Sequence, residues 1–235
     1  MKPSKKYVES AKLTESTELY SPKQALDIVL KMPKANYDQS IELVFNLGID
    51  PKQADQQLRG TLMLPQGTGK KTKIVAICKD SDVESVKKAG ASEAGNVDLL
   101  EKIEKGWFDF DLLITSPDMM GKLGKLGRLL GSKGLMPNIK SGTITKDLVK
   151  TVTEFSKGKI TYRNDKYGNI HVIIGKESFS SENLMENFLA VYETIIKDKP
   201  SKSKGVYIKT IAISKTHSPS LKIETLKIKW SDQNG

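Results

Sequence analysis

The pattern of apolar and polar positions divides the chain into two textures. Near the N-terminus, Ala25, Leu26, Val29 and Leu30 recur at helical spacing. Ser21-Pro22 stands before them as a cap with proline at the first helical position, and Pro33 closes the segment. Ile41, Leu43, Phe45 and Leu47 then alternate with Glu42 and Asn46, the pattern of a half-buried strand. Leu58 to Leu64 repeats that alternation. After Pro65-Gln66-Gly67-Thr68-Gly69 the texture changes. Ile74 to Cys78 and Asp111 to Thr115 are nearly continuous apolar runs, suited to strands buried on both faces. Residues 81–89, 97–104 and 146–157 read as helices around them, and strands alternating with helices predict a parallel sheet. Past Gly158 the alternation returns. Lys159–Arg163 and Asn169–Ile174 flank Asn164 to Gly168 and read as a hairpin. Ser180 to Asp198 predicts a long helix, capped by Ser181, with Leu184, Phe188, Val191, Ile195 and Ile196 turned inward. Val206–Ser214 and Leu221–Trp230 read as two final strands, and residues 1–18 as a polar, loosely helical lead.

The shared texture of the two ends predicts one α+β domain, with an antiparallel sheet, built from residues 1–66 and 159–235. Residues 67–158 then form an inserted α/β domain. Two chain connections side by side, near Gly67 and Gly158, make a hinge, because rotation about both is open while sliding is not.

Charge changes the picture by naming a class of partner. The chain carries 38 basic and 28 acidic residues, a formal +10. That balance favours a polyanion, and nucleic acid is the commonest one. A membrane is not expected as a partner. No apolar run approaches the ~20 residues of a spanning helix, and no helix with a heavily basic face is evident. The opening MKPSKKYVES lacks the apolar core of a secretory signal. Cys78 is the single cysteine, so no intrachain disulfide forms and a reducing compartment fits; within KIVAIC it reads as an inert core residue.

Catalytic signals are missing. His171 and His217 are the only histidines, which with one cysteine gives no metal-ligand cluster. Gly67-Thr68-Gly69-Lys70-Lys71-Thr72 fails as a phosphate-binding P-loop. Leu64 stands where the first glycine belongs, Lys71 stands where Ser or Thr should bind magnesium, and the segment precedes a strand instead of following one. Gly121, Gly124 and Gly127 do not have dinucleotide spacing. A nucleotide-dependent enzyme using the α/β domain is therefore the weaker alternative to a binding protein, and no cofactor or metal is expected.

The most unusual stretch is Met119 to Thr145. It holds six glycines (Gly121, Gly124, Gly127, Gly131, Gly134, Gly142), the cations Lys122, Lys125, Arg128, Lys133 and Lys140, and no acidic residue. Glycine is costly in helices, so the run reflects either close backbone approach to an anion or a solvated basic connection. Leu123, Leu126, Leu129, Leu130 and Leu135 keep helical spacing, which predicts short helices broken by turns. Tyr37, just before the first strand, can stack on a base or pack into the core.

GRLLGSKGLMPNIKSGTIT resembles the G-x-x-LG-P-[RK]-GLMPNPK-x-GT-[VI]-T signature of the large-ribosomal-subunit protein one (L-one) family, of bacterial or organellar type. The likeness continues, in order, through NYDQSIELVFNLGIDP, LRGTLMLPQGTGK, DFDLLITSPDMM, YRNDKYGNIHVIIGK and the KP…KG-x-Y-[IL]-K run. It implies a discontinuous α+β domain of split β-α-β type with an inserted Rossmann-like domain. It also implies a structural protein of the large subunit that binds rRNA at the mobile stalk near the tRNA exit site. Such a protein assists release of deacylated tRNA and represses its own mRNA. The implied partners are large-subunit rRNA, exit-site tRNA and that mRNA, with a monomer outside the ribosome. The location is a cytoplasmic ribosome, an organellar one staying open. The implied RNA contacts are Tyr37 (usually Phe), Ser40 (usually Thr), Asp165, Lys166, Thr210, and Thr216, His217 and Ser218 of a loop that usually reads S-T-M-G-P. Lys122, Lys125, Arg128 and Lys133 are candidate additional contacts. His217 and Ser218 depart from that loop, and Ser132 and Ile139 replace prolines of the signature, which removes two φ restraints. By the residues alone, the alternative is that Thr216 merely satisfies its own turn, as Ser and Thr often do.

Overall fold

The structure, a computed structural model, describes residues 4–15 and 18–225. In chain order the helices are α1 (Lys5–Lys12), α2 (Pro22–Lys31), α3 (Val83–Lys88), α4 (Val97–Glu104), α5 (Met120–Leu123), α6 (Gly127–Ser132), α7 (Leu148–Ser156) and α8 (Ser181–Lys197). The strands are β1 (Leu19–Tyr20), β2 (Ser40–Leu47), β3 (Arg59–Met63), β4 (Ile74–Ile77), β5 (Glu93–Gly95), β6 (Leu112–Thr115), β7 (Lys159–Arg163), β8 (Asn169–Lys176), β9 (Ile208–Lys215) and β10 (Leu221–Ile223). The fold is a mixed α/β one with two compact units. One comprises the described residues of Met1–Leu58, Leu64–Gly69 and Tyr162–Gly235; the other comprises Arg59–Met63 and Lys70–Thr161.

The first unit is built on a five-stranded sheet in the order β1-β10-β9-β2-β8. Its interior strand β2, between β9 and β8, alternates without a break: Ile41, Leu43, Phe45 and Leu47 are buried, while Ser40, Glu42, Val44 and Asn46 face outward, half-buried. α2 and α8 pack on the buried face. α2 starts as its sequence predicts, with the Ser21 hydroxyl accepting from Gln24 N and the Gln24 side chain accepting from Ser21 N. α8 begins one residue earlier than expected at its cap. Ser180 accepts from Asn183 N, and Ser181 instead donates to Asp27 Oδ1 at 2.7 Å. Leu184, Phe188, Val191 and Ile195 are buried as expected, but Ile196 is exposed, because it falls a full 100° past Ile195 around the helix.

Two strand readings need correction. β7 and β8 do not form a hairpin ladder: β7 pairs with β3, β8 pairs with β2, and a single bridge, Asn164 to Ile170, joins the turn. Asn164 diverts the chain, donating its N–H to Leu58 O (3.1 Å) while its Oδ1 accepts from Leu58 N (2.7 Å). The five-stranded sheet is also not wholly antiparallel, since the short β1 adds parallel to β10. The predicted last strand ends at Ile223 within the described residues, and the reading from 226 to Trp230 lies outside them.

The second unit has a parallel sheet, β5-β4-β6, with apolar layers on both faces. Val75, Ile77 and Leu113 face Leu99, Ile103, Leu123, Leu126 and Leu130. Ile74, Ala76, Cys78 and Ile114 face Val86, Leu148, Val152 and Phe155. That double burial is why β4 and β6 read as unbroken apolar runs. Cys78 is buried and its thiol is pushed up by desolvation, as an inert core residue should be.

Candidate nucleic-acid interface

The outward side of the five-stranded sheet is lined by rows of mixed polar and apolar side chains. Cross-strand register places Asn169, Asn46 and Thr210 in one row, His171, Val44 and Ala212 in the next, and Ile173, Glu42 and Ser214 in the third. The sequence candidates fall toward the two ends of the strands that carry these rows. Ser40 and Asn46 are six residues apart on β2, roughly 20 Å at strand rise. Tyr37, Ser40, Thr216, His217 and Ser218 gather at one end. Thr210, Asp165 and Lys166 lie toward the other.

At the first end, three chain segments are tied together by hydrogen bonds. Thr216 donates both its N–H (3.1 Å) and its hydroxyl (3.2 Å) to Ser40 O. Gln39 Nε2 donates to Thr216 O, and Gln39 Oε1 accepts from Ala35 N. Lys176 Nζ donates to Ser40 Oγ at 2.9 Å. The 215–218 turn closes on itself, with Ser218 N donating to Lys215 O (2.8 Å) and Lys215 N donating to Ser218 Oγ (2.9 Å). His217 occupies its tip at φ +64°, the only described non-glycine residue in that region. Tyr37 is 53% exposed, so its ring is not part of the core.

Beneath this end lies a group that the sequence reading missed. Lys215 is buried, its side chain 1% exposed, and its ammonium donates to Met32 O (2.9 Å), Pro33 O (3.3 Å) and the Glu177 carboxylate (3.4 Å), itself 6% exposed. The signal was present: Ile211, Ile213 and Lys215 share the inward phase of β9. Gln39 and Lys176 also went unread, having no motif to mark them.

At the other end, Asp165 turns its oxygens inward. Oδ1 accepts from Tyr167 N and Asn169 N, both at 2.8 Å, and Oδ2 accepts from Asn169 Nδ2 at 3.0 Å. Burial acts to raise this carboxyl, but those N–H donors and nearby His171 outweigh it and hold it below the ordinary Asp value. Its contribution to the turn is therefore complete above the unfolded Asp pKa and is lost as pH falls through the depressed one. Lys166 and Tyr167 project into solvent.

In the second unit, the glycine-rich stretch forms α5, a 3₁₀ turn and α6, short helices broken by turns. Leu123, Leu126 and Leu130 are buried, whereas Lys122, Lys125, Arg128 and Lys133 are all exposed. Lys122 reaches Asn96 Oδ1 (3.3 Å) and Lys133 lies over the Phe108 ring (4.5 Å). Of the six glycines, only Gly134 and Gly142 have positive φ, and among the described residues nothing beyond the adjoining backbone comes within 4 Å of a Cβ built at Gly121, Gly124, Gly131 or Gly134. Close approach within the protein does not account for them. Ser132, at a signature proline, donates to Leu129 O instead (2.9 Å), so α6 keeps a local restraint there.

Among the described residues no His, Cys, Asp and Glu group could hold a metal, and no helix is long and apolar enough to cross a membrane. Compared with known proteins, residues 29–219 match the model of the ribosomal protein L1p/L10e family. The chain belongs to that family. It is also 50% identical, over 95% of its length and 97% of the relative's, to the large ribosomal subunit protein uL1 of Ligilactobacillus salivarius (strain UCC118). The family likeness read from the signature blocks is thus established. The chain is a structural ribosomal protein of bacterial type, not an enzyme, and its place is the ribosome in the cytoplasm.

The site carries a direct prediction. Thr216→Val should leave folding nearly unchanged, because the Thr216 N–H still bonds Ser40 O. On the expectation that RNA donates to the lone pairs left on this hydroxyl, whose proton goes to Ser40 O, binding of a large-subunit rRNA fragment should weaken by about 1–3 kcal/mol. A thermal melt beside an rRNA titration checks it, and unchanged affinity with an unchanged melt would remove Thr216 from the interface.

Proposed function

We propose that the chain is a constituent of the large ribosomal subunit and binds its rRNA through the outward face and loop ends of the first unit. In this reading residues 1–66 and 159–235 act as a discontinuous RNA-binding domain, with residues 67–158 as an inserted Rossmann-like domain. The RNA is a stem at the mobile stalk beside the tRNA exit site. The protein assists release of deacylated tRNA and represses its own mRNA. The observation that carries the reading is the end of the sheet where Tyr37, Ser40 and the Thr216–Ser218 turn meet. There hydroxyls and backbone groups are held by mutual hydrogen bonds, beside the exposed ring of Tyr37. RNA is recognised by such stacking, hydroxyl and phosphate contacts, and preorganised groups lose little entropy on binding. Lys122, Lys125, Arg128 and Lys133 add phosphate contacts from the second unit, where the glycines leave the backbone bare. The relative's name, a large ribosomal subunit protein, supports the large subunit as the place of assembly.

The test is an rRNA titration at several salt concentrations. With a formal charge of +10, each phosphate neutralised should add roughly 0.7–0.9 to the slope of log affinity against log salt. Several contacts give a steep slope. An affinity that stays flat from low to moderate salt would mean that phosphate contacts do not dominate.

A further inference from the structure

The 165–169 turn presents a side chain that the family contacts do not include. Tyr167 is 70% exposed, among the most exposed large side chains described. A tyrosine ring left in water is a costly place for apolar area unless something covers it. The turn beneath it is rigid. Asp165 accepts from Tyr167 N, from Asn169 N and from the Asn169 amide. Asp165 N donates to Asn169 O at 2.8 Å, and Leu47 N donates to Gly168 O at 3.0 Å. Gly168 sits at φ +82°, and a Cβ there would come within 3.1 Å of Leu47 O, so the turn lies hard against the end of β2. The Asp165 oxygens are thus spent on holding the tip, and what the tip offers outward is the Tyr167 ring with the Lys166 ammonium 5.1 Å from its centroid.

We propose that Tyr167 is an RNA-binding residue, a stacking platform for one unpaired base. The assignment rests on the rRNA-binding reading above and deepens it. A cation beside an exposed ring matches the two features of a nucleotide, an aromatic face and a phosphate on the same unit. In the neighbouring row Asn46 Nδ2 donates to Asn169 Oδ1 (2.6 Å), and the remaining capacity of the Asn46 amide with the Thr210 hydroxyl supplies donors and acceptors for a base edge or ribose hydroxyl. A purely apolar protein partner would leave that row and Lys166 unpaired. Lys166 covers one side of the ring, which leaves the other for a single base.

The experiment compares wild type, Tyr167→Ala and Tyr167→Phe in titrations with a large-subunit rRNA fragment at several salt concentrations, each with a thermal melt. Tyr167→Ala should bind about ten-fold more weakly with the melt unchanged, and Tyr167→Phe should bind as wild type does, because the ring alone is needed. The salt slope should be the same for all three, since no charge is removed. Full affinity in Tyr167→Ala would overturn the proposal while leaving the rRNA reading in place. Equal losses in the Phe and Ala variants would overturn it in favour of a hydroxyl contact. Absence of rRNA binding by wild type would overturn both.

Discussion

Lys215→Met is expected to destabilise the first unit by about 3–5 kcal/mol, the range measured when one partner of a buried ion pair is removed. The ammonium holds two backbone carbonyls and the Glu177 carboxylate where almost no water reaches. Without it, among the described residues the Glu177 carboxylate keeps the Lys34 ion pair alone, at 4.0 Å and with a lysine side chain mostly in solvent. Such an exposed cation restores little of the lost interaction. Chemical denaturation followed by circular dichroism measures the loss. A change below about 1 kcal/mol, the worth of an exposed pair, would mean that the pair is solvated. Adding Glu177→Leu should recover much of the stability, because a well-packed apolar pair often equals a buried ionic one. The same variant loosens the floor under Thr216 and His217, so rRNA affinity should fall with it.

Asn187→Leu is the second large effect. Asn187 is 0% exposed and joins α8 to two other segments. Its Oδ1 accepts from Gln66 N (3.0 Å), and its Nδ2 donates to Gly67 O (2.9 Å) and Ile174 O (2.7 Å). Leucine matches its shape and none of its bonds. Burying polar groups without partners costs about 1–3 kcal/mol each, so the total should be on the order of 3 kcal/mol. The segment from Leu64 to Gly69 should also loosen, and trypsin should cut faster at Lys70 or Lys71. Unchanged protease resistance and stability would show that Gln66 and Gly67 are held by other contacts.

How much of this was legible depended on whether the controlling interaction was local. The N-cap at Ser21, the alternation of β2 and the doubly buried β4 and β6 could be read because each follows from a few neighbouring residues: a cap residue before proline, a repeat of two, and short continuous apolar runs. The likeness to the family was legible for a different reason: its signature blocks are long, ordered motifs. The hairpin reading of 159–174 failed because turn chemistry is local but strand pairing is not. The two residues that diverted β7, Leu58 and Asn164, are 106 positions apart in the chain. β1 and β5 were missed because strands of two or three residues show no period.

The candidate site followed the same division. The chain by itself determined a basic protein with two textures, no catalytic cluster, and a set of loops rich in lysine, glycine and hydroxyl groups. Side-chain chemistry and periodicity are written residue by residue, so these survive without coordinates. Only the tertiary structure decided which of those loops meet. It gathered Tyr37, Ser40 and Thr216 at one end of β2 and put Asp165 and Lys166 toward the other. It turned the Asp165 carboxylate inward, left Tyr167 outside, and buried Lys215 against Glu177. The physical reason is that solvation and hydrogen-bond partners belong to positions in space. A lysine reads the same in the sequence whether its ammonium meets water, a phosphate or a buried carboxylate, and only the packing of distant strands settles which.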